Sequence, residues 1–299
     1  MEVADIEVGF EYHSLHNEVT VFDDSAARLL LSDEEYRQIS KSMAAGIQFF
    51  APGFTGDTEQ ALRWIVDNQL SPSPLGRAAF SERSLERAVQ IGARQYLILG
   101  AGYDTFACRR PQWAQALEIF EIDHPATSAD KRRRLKRAGI TVPASVHYAQ
   151  ADFNDAAWPR ALLDQPSFDC RKISFCALLG VTYYLSKKTF EAVLSAAAPM
   201  LPAGSTLVFD YPDERSSTKN AGTRAKKQIQ LADAANEQML AGYSYFELEQ
   251  LLAGQGFLIY EHLTPPEITA QYFSAYNQAA PAHPITAFDN VNYCLAVKQ

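Results

Sequence analysis

Gln95-Tyr-Leu-Ile-Leu-Gly100-Ala-Gly102-Tyr-Asp104-Thr105 begins as a short apolar run and turns on two glycines. Leu117-Glu-Ile-Phe-Glu121-Ile-Asp123 follows as a second apolar run that ends in carboxylates. A strand that opens into a glycine turn, followed by a strand that ends on an acid, is how a parallel α/β sheet builds a nucleoside pocket at its strand ends. Lacking a Cβ, Gly100 and Gly102 let the backbone approach a ligand closely. Glu121 or Asp123 would then accept hydrogen bonds from a ribose diol. For the glycines alone, a sharp strand-to-helix turn with no ligand is the competing reading.

Outward from this stretch the periodicity changes. Before it, from about Ser25 to Arg94, apolar residues recur at three- and four-residue intervals, which predicts helices over Ala26 to Leu31, Glu34 to Phe50, Asp57 to Asn68 and Leu75 to Ile91. After it, strands are predicted at Tyr96–Leu99, Glu118–Ile122, Val146–Ala149, Ile173–Leu178 and Thr206–Tyr211, with helical periodicity between them. Strand, helix, strand repeated in this way implies right-handed crossovers and a doubly wound, Rossmann-like α/β sheet, mostly parallel. At the C-terminal end, Gly256 to His262 and Val291 to Val297 read as two strands joined by a Pro-rich excursion with no predicted helix, hence an antiparallel hairpin. Residues 1–94 are thus expected to form a helical N-terminal extension or cover; a parallel sheet finished by such a hairpin resembles the arrangement of class I S-adenosylmethionine methyltransferases, so 95–299 is expected to be a domain of that kind. The polar stretch at 212–242 reads as an insertion, either a lid over an acceptor or a plain surface excursion.

The net charge of −8 offers no basic footprint for a phosphate backbone, which argues against nucleic acid as a partner. Lys131-Arg132-Arg133-Arg134 is the one basic run and reads as a solvated helix face. Cys108, Cys170, Cys176 and Cys294 are scattered, without metal-ligand spacing, so neither a metal site nor a disulfide framework is expected. The acidic start Met1-Glu-Val-Ala-Asp5 has no apolar leader and no stretch is long enough to span a membrane, which points to a soluble, cytoplasmic protein. The oligomeric state is not legible.

A dinucleotide fold wants a third glycine where this chain has Thr105, so a pyrophosphate ligand is disfavoured and S-adenosylmethionine is the better candidate. Asp104 either faces the ammonium of that ligand's amino-acid arm or caps the next helix. Phe22-Asp-Asp-Ser-Ala-Ala-Arg28, Arg77 with Glu82-Arg83, Gly92 to Thr105, Phe120-Glu-Ile-Asp-His-Pro125 with Lys131, and Ala151-Asp-Phe153 resemble the leucine carboxyl methyltransferase family. The likeness is greatest to its bacterial and fungal O-methyltransferases of polyketides and other secondary metabolites. That resemblance implies an S-adenosylmethionine-dependent O-methyltransferase acting on a carboxyl or phenolic group of a small molecule. It implies that Arg77 holds the cofactor carboxylate, that Gly100 and Gly102 pass beneath the methionine arm, and that Glu121 or Asp123 binds the ribose. Asp152 and Phe153 would read and cover the adenine, although Asp152 also suits a turn. The chain departs from the family in having no Glu in Leu178-Leu179-Gly180 and in placing Phe106 where an Arg is common.

The acceptor chemistry has fewer markers. A carboxylate acceptor needs only alignment, whereas a phenol wants a base. Tyr183, Tyr184 and Asp210, at the ends of the fourth and fifth strands, are the candidate catalytic residues, with packing as the other reading for at least one tyrosine. His124 and His147 are weaker candidates for a base. A nicotinamide-dependent oxidoreductase on a similar sheet and a non-catalytic S-adenosylmethionine-binding protein are the alternatives.

Overall fold

The computed structural model describes residues 3–216, 222–234 and 239–299. The start of the Met1–Asp5 stretch, and 217–221 and 235–238 of the expected insertion, lie outside the described residues. One seven-stranded sheet runs in the order β3-β2-β1-β4-β5-β7-β6. Its strands are β1 (Gln95–Leu99), β2 (Glu118–Asp123), β3 (Val146–Gln150), β4 (Ser174–Leu178), β5 (Thr206–Pro212), β6 (Phe257–Leu263) and β7 (Val291–Lys298). β1 to β5 are parallel, and β7 runs antiparallel to both β5 and β6. The expected C-terminal pair is therefore present, with β7 wedged between β5 and β6. The connection is not helix-free: Pro265–Ile268, Thr269–Phe273 and Ser274–Ala279 are helical, the first opened by a proline pair that suits a helix start.

Every residue of β1, β4 and β5 is buried, as a parallel sheet covered on both faces requires. Successive side chains alternate between two cores. Tyr96, Ile98, Phe175, Ala177 and Val208 pack with Phe80, Leu85 and Ala88 of the Pro72–Gln90 helix. Leu97, Leu99, Cys176, Leu178, Leu207 and Phe209 pack with Phe190, Val193 and Leu194 of the Lys187–Ala197 helix and Leu248 and Leu252 of Tyr245–Gly254. Gly76 allows the first of these contacts to be close: a Cβ there would meet Tyr293 Oη at 2.5 Å and Phe273 Cζ at 3.0 Å. Arg77, one residue on, is thereby set down at the strand ends.

The N-terminal helices run over Asp33–Ala45, Thr58–Ile65 and Pro72–Gln90, as the periodicity predicts, with a π-helical turn at Val66–Leu70. A further helix, α1 (Val3–His16), has no apolar stripe to announce it, because Glu7, Glu11 and His13 share its buried positions with Val8 and Tyr12. His13 Nε2 accepts from Val21 N at 2.9 Å and Ser14 Oγ from Asp24 N at 2.9 Å, so α1 is clipped to the segment that follows it. Among the described residues no helix is long and apolar enough to cross a membrane.

The clip has a pH signature. Burial lowers the His13 imidazole from 6.5 to about 4, so the folded chain holds it neutral where the unfolded chain protonates it. Its contribution is complete above pH 6.5 and is lost as pH falls towards 4, at most about 3 kcal/mol. Thermal unfolding of wild type and His13→Gln at pH 7 and pH 5 should show the larger loss in wild type. Parallel pH profiles would remove His13 from this role.

Candidate functional site

The glycine turn lies at the carboxyl end of β1, with Gly100 at φ +76 and Gly102 at φ +50, values that favour glycine. A Cβ on Gly100 would overlap Val181 Cγ2. Gly102 N donates to Asp123 Oδ2 at 2.5 Å, and His124 N to Asp123 Oδ1 at 2.6 Å, which fixes the acid at the tip of β2 against the turn. A cavity of about 180 Å³ opens here, lined by the turn, by Arg77, Asp104 and Gly180, and by Ile6, Glu7 and Phe10 of α1. A larger cavity of about 640 Å³, lined by Tyr12, Arg63 and Trp64 among others, lies away from the strand ends. Size does not select the site; the strand-end position and the charged lining do.

Asp210, at the end of β5, is wholly buried and organises one wall. Its Oδ1 accepts from Gly180 N at 2.6 Å, and its Oδ2 from Tyr183 Oη at 2.9 Å and Arg77 Nη1 at 3.2 Å. Its carbonyl accepts from Thr182 Oγ1 at 2.6 Å. Gly180, at φ +70, leaves room for the Arg77 guanidinium, since a Cβ would stand 2.6 Å from both Nη atoms. Of the expected catalytic residues, Asp210 and Tyr183 are bonded to each other, with Arg77 on the same carboxylate oxygen, and stand at 0% and 7% exposure. Tyr184 is the more exposed of the tyrosine pair and faces the space beyond.

The two acids of β2 separate. Asp123 is at the rim, whereas Glu121 is buried and accepts from Lys131 Nζ at 2.6 Å. Lys131 is itself 1% exposed, and the basic run is accordingly not one solvated face; Arg134 pairs with Asp130 and Glu35. Asp152 is exposed and its Oδ1 accepts from Asn154 N at 2.9 Å, while Phe153 packs edge-on to Trp158 with centroids 5.3 Å apart. Asp123, Asp152 and Phe153 stand at the ends of adjacent strands, joined where Ala151 N donates to Asp123 O at 2.9 Å, and are not among the residues that line the cavity. Asp104 lines the cavity, and its Oδ1 accepts from Phe106 N at 2.8 Å at the start of the next helix. His147 is bound to Glu118 at 2.6 Å near the amino end of β3 and His124 caps the Pro125–Arg137 helix, so neither lines the cavity.

Sequence reasoning missed a second charged wall. Thr105, at the position of the absent third glycine, donates to Asp24 Oδ1 at 2.6 Å and accepts from Arg109 Nε at 2.9 Å. Arg109 also pairs with Glu82. Phe106 is buried against Tyr96, at 5.1 Å in a T-shaped contact, and Arg109, one turn on, brings the cation to the cavity. Glu7 was equally hidden, because it lies on the unannounced α1. The recurrence of Asp23-Asp24, Glu82 and Asp104 around Thr105 was the available signal.

These residues fit an amino-acid-bearing nucleoside. The guanidinium of Arg77 suits a carboxylate, Gly100 and Gly102 have no side chains to bar a ligand arm, and Asp123 is held against that turn as a candidate hydroxyl acceptor. Arg77→Ala should cost stability as well as affinity, because it leaves Asp210 buried without its cation, at about 3 kcal/mol. Gly180→Ala is the sharper test, since its methyl must displace the guanidinium: S-adenosylhomocysteine affinity should fall at least tenfold in calorimetry, and native affinity would place Arg77 outside the site. For the buried acid of β2, Lys131→Met should lower unfolding free energy by about 3–5 kcal/mol through the stranded Glu121, whereas a change within 1 kcal/mol would contradict the buried pair.

The model of the family described as leucine carboxyl methyltransferase matches residues 10–198. A Bacillus subtilis (strain 168) protein named "Putative S-adenosyl-L-methionine-dependent methyltransferase YktD" is 39% identical over 293 residues, 96% of this chain and 94% of that protein. A Mycobacterium marinum relative named in the same terms is 30% identical over 62% of this chain and 56% of its own length. Among solved structures, a DUF574 family protein of Streptomyces avermitilis superposes with TM-score 0.56 at 16% identity, over 86% of this chain and 97% of that one. A Thermobifida fusca protein covers 100% of this chain and 95% of its own at TM-score 0.53 and 16% identity. Those two likenesses concern the fold. The family and its close relative set aside the nicotinamide alternative, and the chain belongs to the leucine carboxyl methyltransferase family of S-adenosyl-L-methionine-dependent methyltransferases.

Proposed function

We propose that the protein is an O-methyltransferase that acts on a small-molecule acceptor, on a carboxyl in preference to a phenolic oxygen, in secondary metabolism of the polyketide type. The observation that carries this is the continuation of the cofactor cavity into an apolar channel. A chamber of about 70 Å³ shares Ile6, Arg77 and Gly180 with it, and a further one of about 50 Å³ shares Leu70, Tyr184 and Met239 with the first. Leu231 and Ala232 of the Thr223–Ala234 helix and Phe50 close the far end. The polar exceptions include two carboxamides, Gln69 and Gln228, with Gln69 set by the π-helical turn.

Bound at the glycine turn, the cofactor supplies a methyl group carried on a sulfonium. The chain's own residues then have separate tasks: Arg77 binds the cofactor carboxylate, Gly100 and Gly102 admit the methionine arm, Asp123 takes the ribose, and Asp152 and Phe153 the adenine. Asp210 and Tyr183 act as positioning residues for Arg77. Gln69 and Gln228 orient the acceptor oxygen, and Leu70, Tyr184 and Met239 exclude water. Among the described residues the channel lining holds no histidine, lysine, aspartate or glutamate. A carboxylic acid is already anionic at neutral pH and needs no base, whereas a phenol with a pKa near 10 does. Residues 1–94 serve as the cover, 95–299 as the methyltransferase domain, and 212–242 as a lid.

The test is incubation with labelled S-adenosylmethionine and matched aliphatic and aromatic acids and phenols. Base-labile methyl esters are expected; ethers from phenols alone would overturn the carboxyl preference, and no transfer to any acceptor would favour a non-catalytic binder. Ala232→Phe should fill the channel end, raising the acceptor KM or lowering turnover several-fold while sparing S-adenosylhomocysteine affinity. Native turnover in that variant would remove the lid from the acceptor site.

A further inference from the structure

The cavity at the strand ends holds more carboxylates than cations. Glu7, Asp24, Glu82 and Asp104 line it, against Arg77 and Arg109. Arg77 is committed to Asp210 at 3.2 Å. Arg109 is shared between Asp24, at 3.2 Å, and Glu82. Lys131, the next cation, is held by Glu121 at 2.6 Å. Among the described residues Glu7 and Asp104 have no salt-bridge partner, and Asp104 has the Phe106 N–H on one oxygen.

Glu7 is the telling member. It is 4% exposed, and among the described residues its Oε2 has no hydrogen-bond partner. Burial, followed by the charges of Asp24 and Asp104, pushes its carboxyl well above the ordinary range, against the opposing pull of Lys131 and Arg109. A buried carboxylate oxygen with no partner is costly to keep, and it is carried here on a helix that lines the cavity. A ligand whose carboxylate sits on Arg77 and whose adjacent ammonium reaches the opposite wall would satisfy both ends.

Building on the assignment of this cavity to S-adenosylmethionine, we propose that Glu7, with Asp104, is the site for the α-ammonium of the cofactor's methionine arm, so that the ligand α1 covers also holds α1 in place. α1 is then part of the binding site and not only a cover. The sulfonium brings a second positive charge to the same acidic wall, so S-adenosylmethionine should bind more tightly than S-adenosylhomocysteine.

Calorimetry with S-adenosylhomocysteine and with 5′-methylthioadenosine, which keeps the nucleoside and sulfur but lacks the amino-acid arm, isolates the contact. Glu7→Gln should weaken S-adenosylhomocysteine at least tenfold and leave 5′-methylthioadenosine within twofold. Glu7→Asp should recover part of the loss. Because the substitution neutralises a strained buried charge, the ligand-free melting temperature of Glu7→Gln should match or exceed that of wild type. Equal weakening of both ligands, or none of either, would overturn the ammonium site while leaving the cofactor assignment standing. Failure of wild type to bind either ligand would overturn both.

Discussion

The carboxylate of Asp210 joins three parts of the chain that are far apart in sequence. It lies at the end of β5, draws the backbone of Gly180 after β4, and holds the guanidinium of Arg77 from the helix before β1. With Tyr183 on its second oxygen, its acceptor sites are occupied inside the protein, which is what a charge at 0% exposure requires. One consequence is geometric. Arg77 approaches the strand ends over two glycines, Gly76 against Tyr293 and Gly180 against its own side chain, and neither position tolerates a Cβ without movement. The position of the Arg77 guanidinium is therefore built on a backbone arrangement, with the arginine as its visible end.

Around that point the site is polar on the cofactor side and apolar beyond. Thr105, Asp24, Arg109 and Glu82 form a bonded chain across one wall, and burial raises the carboxyls of Asp24 and Glu82 above the ordinary range in spite of Arg109. Such a wall costs folding free energy that a cationic ligand offsets on binding. Past Gly180 the lining is mixed at first and turns apolar in the far chamber, where Phe50, Leu70, Leu231, Ala232 and Met239 line it.

The sheet was legible because its strands are short apolar runs separated by helices, and each predicted strand agrees with the structure to within a residue or two. The glycine turn and the acid of β2 were legible for the same reason, since both are local patterns. What escaped was set by tertiary contact. α1 has glutamates and a histidine on its buried side, so periodicity could not reveal it. Glu121 and Asp123, two residues apart, lie on one face of β2, and what separates them is Lys131, ten residues after Glu121 and buried against it. Asp210 and Tyr183 are at the predicted rim, yet they point to each other, a pairing over 27 residues that no local motif encodes. The missing family glutamate near Leu179 also has a physical counterpart: Gly180 in the following position gives its space to Arg77.

The dependence of the site on Asp210 is most directly tested by titrating Asp210→Asn with S-adenosylhomocysteine, after confirming its fold by circular dichroism. Asparagine keeps the size and one acceptor but removes the charge that fixes Arg77. A loss of affinity of at least tenfold is predicted, with no contact between this residue and the ligand. Native affinity in a folded Asp210→Asn protein would contradict the account, and Arg77 would then owe its position to something other than the buried carboxylate.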